Sequence, residues 1–232
     1  MNINILNTND IVIPEHPALF NKAGVLQPMP AAFWQYTTRD QRMLFGHKHA
    51  IYAIPTNESI ELIKTLIAGR EESAIEIGAG NGAFGLALNI HSTDSKQQLE
   101  PKYRAVYESM RQPIIAYGEH VTKLDAAAAI KKLRPRIVFA AWVTHKYNPL
   151  KHELAGNEAG VDEIALVNAV DEYIFFGNTK NHSQKPLLPY LEQNAHLFET
   201  NIYHNTRVDP AYLFSRASGG QDFILHVKKA VL

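Results

Sequence analysis

The chain has 232 residues, 46% of them hydrophobic and 20% charged, and its 23 Lys+Arg balance 23 Asp+Glu to a formal net charge of zero. That composition excludes a disordered chain, and at about 150 residues per domain it describes one globular domain with an extension. Zero net charge removes the footprint of a strong nonspecific nucleic-acid binder, and the absence of cysteine removes disulfides, thiolate metal sites and cysteine nucleophiles.

The first 50 residues read as an irregular cap or arm packed on a core spanning 51–232. Prolines at 14, 17, 28 and 30 break regular structure, while Phe20, Phe33, Trp34, Tyr36 and Phe45 are too many aromatics for a free tail. No basic stretch leads into an apolar run at the start, and no apolar run reaches about 18 residues. The expectation is a cytoplasmic protein without a signal peptide or membrane span. His47 and His49 form the only close histidine pair, at a spacing that fits a strand face better than a helical ligand pair. No metal site is assigned there.

From residue 56 the pattern is regular. Thr56 can cap a helix carrying Ile60, Ile63 and Ile67 at helical spacing, with Gly69 as its stop. Tyr52, just before this helix, is placed to close over a ligand. Ala74 to Ile77 reads as a strand that ends in Gly78-Ala79-Gly80-Asn81-Gly82, and Ala83 to Leu88 as the helix opening after that turn. Asn89–Asp94 is the next strand and Lys96–Met110 a polar helix. A short strand at His120–Leu124 precedes a helix over Asp125–Leu133. Ile137 to Val143 is an unbroken apolar run, as in a parallel strand buried on both faces. Glu158–Val170 reads as helix, Tyr173–Phe176 as strand and Leu187–Leu197 as helix. Tyr212–Ser215 and Phe223–Val227, around Gly219-Gly220, read as a closing antiparallel hairpin.

Helices alternating with apolar strands predict an α/β, Rossmann-like fold: a mostly parallel seven-stranded sheet, helices on both faces, last strand antiparallel. Ligands of such sheets bind at the carboxyl ends of the strands. That rule gathers the glycine turn, Asp94, Asp125 and Trp142–His145 around one crevice.

The glycine turn allows positive φ and close approach of a ligand to the backbone. Gly78-x-Gly80-x-x-Ala83 and Gly80-x-Gly82-x-x-Gly85 both fit a dinucleotide turn formally. A cationic ligand without phosphate is the other possibility, because Glu76 stands two residues before Gly78.

Glu76-x-Gly78-x-Gly80-x-Gly82 resembles the first motif of the class I S-adenosylmethionine (SAM)-dependent methyltransferases. The likeness spans residues 56–227 as an order of elements, but only the glycine motif is specific. It implies that Glu76, Gly78, Ala79, Gly80, Asn81 and Gly82 line the methionine and ribose parts of SAM. It implies that Asp94 accepts from the ribose hydroxyls, and that Asp125, or alternatively Glu119, meets the adenine amino group. Asp94 also suits a plain turn, and Asp125 the N-cap of its helix.

The segment after the fourth family strand, Trp142 to Pro149, then faces the transferred methyl. His145 is the candidate base, Tyr147 orients an acceptor, and Trp142 stacks on adenine or substrate. Asn178 and His182, after the fifth strand, are further contacts. Amino-methylating DNA enzymes carry an Asp/Asn/Ser-Pro-Pro-aromatic motif at this place. Here Asn148-Pro149 runs into Leu150, so DNA bases are disfavoured as acceptors, and a small molecule or protein is favoured over nucleic acid. The alternatives are a catalytically degenerate SAM-binding module with a regulatory or partner role, and an NAD(P)-dependent oxidoreductase.

Overall fold

The computed structural model describes residues 11–230, so residues 1–10 of the expected cap lie outside it. Helices α1 (Ala31–Gln35) and α2 (Arg39–His49) stand where the sequence reads as irregular. A capping box starts α2: Thr38 Oγ1 accepts from the Gln41 N–H at 3.2 Å, and Gln41 Oε1 accepts from the Thr38 N–H at 2.8 Å. His47 and His49 therefore sit on the last turn of a helix, not on a strand. The His49 ring packs tilted against Phe20 and Phe45, with centroids 4.8 Å from each.

The chain continues through β1 (Ala53–Ile54), α3 (Asn57–Ile67), β2 (Ala74–Ile77), α4 (Ala83–Leu88), β3 (His91–Asp94) and α5 (Pro101–Ser109). Then come β4 (Thr122–Lys123), α6 (Ala126–Leu133), β5 (Ile137–Ala141), α7 (Glu163–Ala169), β6 (Glu172–Asn178) and α8 (Leu187–Gln193). The last three are β7 (Phe198–His204), β8 (Phe214–Ser215) and β9 (Asp222–Lys229). Pro101 sits at the first position of α5, so the expected Lys96–Met110 helix is split, with one 3₁₀ turn before it. Helix α7 starts later than expected. Asp162 caps it by accepting from the Ala165 N–H at 3.0 Å, and residues 157–161 pair with 144–146 instead of coiling.

Seven strands form one sheet in the order β4-β3-β2-β5-β6-β9-β7. The first five are parallel, and β9 runs antiparallel to both neighbours. This is the expected α/β Rossmann-like fold, a mostly parallel seven-stranded sheet with its last strand antiparallel. The expected closing hairpin is corrected: β9 pairs with β6 and with β7, which the sequence reading missed. Phe214–Ser215 instead pairs with Ala53–Ile54 in a separate two-stranded sheet.

Alternation along the central strands feeds two cores. Val138, Ala140, Tyr173 and Phe175 pack with α6, α7 and α8, while Ile137, Phe139, Ile174 and Phe176 pack with α3 and α4. Both faces are covered, which is why β5 and β6 read as continuous apolar runs. A third cluster joins the arm to the rest: Leu26, Trp34 and Phe45 pack with Ile54, Ala83 and Phe214. No helix among the described residues is long and apolar enough to cross a membrane.

Candidate functional site

The chain leaves β2 outward to β3 and β4, then returns to β5 on the other side of β2. The crevice this reversal opens at the strands' carboxyl ends is where α/β sheets bind ligands. A cavity of about 1270 Å³ lies there. Pockets for one drug-sized ligand hold roughly 300–1,000 Å³, so the cavity has room for a cofactor and a second small molecule.

Its floor is the glycine loop. Gly78, Gly80 and Gly82 have φ of 58, 52 and 78°, the left-handed region that L side chains avoid. Three loop N–H groups are taken internally: Ala79 donates to Thr93 O at 3.0 Å, Gly80 to Asp94 Oδ2 at 2.9 Å and Gly82 to Ala79 O at 2.8 Å. The loop is pinned, and those N–H groups do not form a phosphate cradle.

Glu76 shares the α4 face of β2 and is 2% exposed. Its Oε2 accepts from the Gly85 N–H and from Ser92 Oγ, both at 2.9 Å. Burial pushes its carboxyl up to about 8, against the pull of those two bonds and helped by the nearby Asp94 charge. Gly85 is required here: a Cβ would lie 1.9 Å from Ser92 Oγ and 2.6 Å from Glu76 Oε2. The sequence shows Gly85 only as a possible member of a dinucleotide turn.

Asp94 ends β3 at the cavity wall. Its other oxygen accepts from the Lys96 N–H at 2.7 Å. Burial raises its pKa, opposed by its bonds to Gly80 and Lys96 and by the Lys96 charge. Asn81 lines the cavity and ties the loop to the N-terminal arm. Its side chain accepts from the Leu26 N–H at 2.7 Å and donates to Ala116 O at 2.9 Å. Asp125 lines the cavity and caps α6, accepting from the Ala128 N–H at 2.8 Å. The N-cap reading of that residue is met, and its place in the lining leaves it beside the cavity. Glu119 is exposed in a turn and lies outside the cavity lining.

Of the fourth-strand segment, Trp142 reaches the cavity and His145 and Tyr147 do not. The His145 ring lies 3.0 Å from Leu154 O, and Tyr147 is an exposed surface residue. Residues 144–147 pair with 157–161, and His145 is half-buried against Leu154 outside the lining. His182 is also structural: its Nδ1 accepts from the Asn178 N–H at 2.9 Å, and it packs edge-on to Trp142 and Phe175. Burial pushes it down to about 3, so it stays neutral. The Asn178 side chain ties to Asp222 and to the Lys180 N–H. Among the described residues no three His, Asp or Glu group as a metal site.

The upper wall escaped the sequence reading. Tyr103 and Tyr107 of α5, Tyr117 and Arg216 join Tyr52 and Trp142 around the cavity. Burial raises the Tyr107 and Tyr117 hydroxyls above their ordinary range. The i, i+4 spacing of Tyr103 and Tyr107 on a polar helix is the one signal in the sequence that pointed there. Two buried polar atoms in the lining have no partner, the acceptor Gln97 Oε1 and the donor Trp142 Nε1. Unpaired buried groups are costly.

No protein-family model matches the chain, and no curated protein does. Solved structures share its fold at low identity. One is the precorrin-6y C5,15-methyltransferase of Geobacter metallireducens: 13% identity, 76% of this chain and 91% of that one covered, TM-score 0.42. An rRNA methylase of Streptococcus thermophilus gives 11% identity, 74% and 97% coverage and a TM-score of 0.44. A SAM-dependent O-methyltransferase of Thermotoga maritima gives 11% identity, 84% and 73% coverage and a TM-score of 0.40. The fold itself rests on the strand order and directions described above.

Proposed function

We propose that the cavity binds SAM and that the protein transfers its methyl group to a small-molecule or protein acceptor. The observation that carries this reading is the pairing of Asp94 with the Gly80 N–H beside the buried Glu76. A pyrophosphate would need loop N–H groups that are already used, and would face the Asp94 carboxylate. A ligand with an ammonium, a sulfonium and ribose hydroxyls meets the opposite electrostatics.

The residues present fit that group. Asp94 has lone pairs left for ribose hydroxyls, and the positive-φ glycines let the ligand lie on the backbone. Bound there, SAM supplies a methyl carbon made electrophilic by its sulfonium. The chain contributes by orienting: the glycine loop fixes the cofactor side, and Trp142, Tyr52 and α5 enclose the acceptor side, excluding water. With His145 and Tyr147 outside the cavity lining, catalysis rests on in-line placement rather than on these two side chains. Their placement also gives support to the second reading, a SAM-binding module without transfer.

Calorimetric titration with S-adenosylhomocysteine (SAH), with NADH as comparison and Asp94→Ala as control, tests the proposal. Micromolar SAH binding, about −8 kcal/mol, lost in the variant, is expected. Binding of NADH alone, or of neither, would overturn it. Methyl transfer to any of a panel of acceptors separates enzyme from binding module.

A further inference from the structure

The two-stranded sheet of β1 and β8 builds a feature that cofactor binding does not use. Its ladder extends one residue past Ala53 and Ser215, where the Arg216 N–H donates to Tyr52 O at 2.9 Å. Tyr52 and Arg216 are thereby cross-strand neighbours. The Arg216 guanidinium carbon lies 3.6 Å from the Tyr52 ring centroid. Gly46 makes room for it: a Cβ there would sit 2.4 Å from Arg216 Cβ and 2.5 Å from Ile51 O. The arginine is held flat against a tyrosine by the backbone of three separate segments.

Arg216 belongs to none of the ion pairs among the described residues. Of the six carboxylates in the lining, Glu100 makes no side-chain bond among the described residues and the other five are committed elsewhere. Glu76, Asp94, Asp125 and Asp162 each accept from backbone N–H groups, and Glu158 pairs with Lys102 at 3.4 Å. Near the same wall, Trp142 Nε1 is a buried donor without an acceptor, and its ring centroid is 6.2 Å from that of Tyr52. This end of the cavity thus offers a planar cation outside every ion pair among the described residues, set among aromatic rings. Such a set selects oxygen anions on flat molecules: a stacked guanidinium keeps its edge free for two parallel hydrogen bonds, and Tyr and Trp faces stack on a ring.

Resting on the methyl-transfer reading above, we infer that the acceptor is a small planar anion, its carboxylate or phosphate held by Arg216 and its ring packed among Tyr52, Tyr107 and Trp142. Transfer breaks the sulfonium–methyl bond and forms a bond from that carbon to a nucleophilic atom of the acceptor. The sulfur keeps the electron pair as the neutral thioether, and a proton bound to the nucleophile leaves to solvent.

The test is binding of a panel of aromatic acids to the full-length protein, with and without saturating SAH. The probes are hydroxybenzoates, pyridine carboxylates, indole acetate and phenyl phosphate, each beside its neutral amide, ester or alcohol, plus a 5′-phosphorylated oligoribonucleotide. At least one acid should bind ten times or more tighter than its neutral counterpart. Arg216→Gln should remove that preference tenfold or more, and Arg216→Lys should restore it only in part. The carboxylate and phosphate arms tell which anion is preferred. Unchanged SAH affinity and far-ultraviolet circular dichroism verify that the variants fold. Equal binding of acids and neutral analogues, acid binding indifferent to Arg216, no binding by any acid, or binding by the oligonucleotide alone would each overturn the inference. SAH binding is read separately. Its presence with no acid preference sinks only the acceptor class, and its absence sinks the cofactor.

Discussion

Asn81 Oδ1 accepts a hydrogen bond from the backbone N–H of Leu26 at 2.7 Å, joining the centre of the glycine loop to the N-terminal arm. Leu26 is fully buried, so this N–H has no water to turn to. Asn81→Ala should therefore cost about 1–3 kcal/mol of stability, seen as a lower midpoint in urea. Hydrogen exchange of the Leu26 amide should speed up more than that of amides in β5. Unchanged protection at Leu26 would mean that the arm is held by its apolar cluster alone.

Gly85→Ala sets two effects against each other. In a helix interior alanine is favoured over glycine by about 1 kcal/mol. Here the added Cβ would lie 1.9 Å from Ser92 Oγ and 2.6 Å from Glu76 Oε2. Sterics should win, with a net loss of about 1–3 kcal/mol, and SAH affinity should fall because the loop below is displaced. A Gly85→Ala protein as stable as wild type in urea would show that Ser92 and Glu76 yield freely.

The central strands were legible in the sequence because burial on both faces makes them apolar throughout: Ile75, Ile77, Ile137–Ala140 and Tyr173–Phe176. The glycine turn was legible because positive φ demands its residue type. Strand β7 was not, since it is an edge strand whose Glu199, Thr200 and Asn201 face solvent and leave no apolar signature. The partner of β9 was misread for the same reason. At the site, Glu76 and Asp94 could be found from local spacing. The Tyr52–Arg216 wall could not, because a two-residue ladder between distant segments creates it. His145 and Tyr147 went the other way: the local pattern put them beside the crevice, and in the fold they lie outside its lining, on a segment paired with 157–161.

Glu76 gives a pH signature. Its folded-state pKa of about 8 lies above the ordinary carboxylate value, so between the two the folded protein binds more protons than the unfolded chain. Stability should be fullest at acidic pH and decline as pH rises to about 8, by at most about 1.4 kcal/mol per pH unit. Glu76→Gln, neutral throughout, should flatten that slope in urea titrations from pH 5 to 8. A wild-type slope retained in the variant would assign the titration to another group.

Asp94 separates charge from loop geometry. Its two oxygens accept from Gly80 and Lys96, and the carboxylate also faces the cavity. Asp94→Ala should weaken SAH binding tenfold or more, on the scale of about 1.5–3 kcal/mol for hydrogen bonds to a charged group. Asp94→Asn has a single carbonyl oxygen for two N–H donors, so it should fall in between. If both variants bind SAH as wild type does in calorimetry, the cofactor does not lie against β3.

Trp142 carries the last prediction, because its indole N–H is buried without an acceptor. An unsatisfied buried donor costs about 1–3 kcal/mol, and Phe fills most of the same space without one. Trp142→Phe should therefore leave the thermal midpoint of the unliganded protein unchanged or raised. In the presence of an aromatic acid that binds the wild type, the order should reverse. The wild-type midpoint should rise with ligand concentration and that of the variant should rise less, since indole gives the ligand's ring a larger face to stack on than phenyl does. A variant destabilised without ligand would mean that the N–H already has a partner in solution. Equal stabilisation of both proteins would place the ligand away from Trp142.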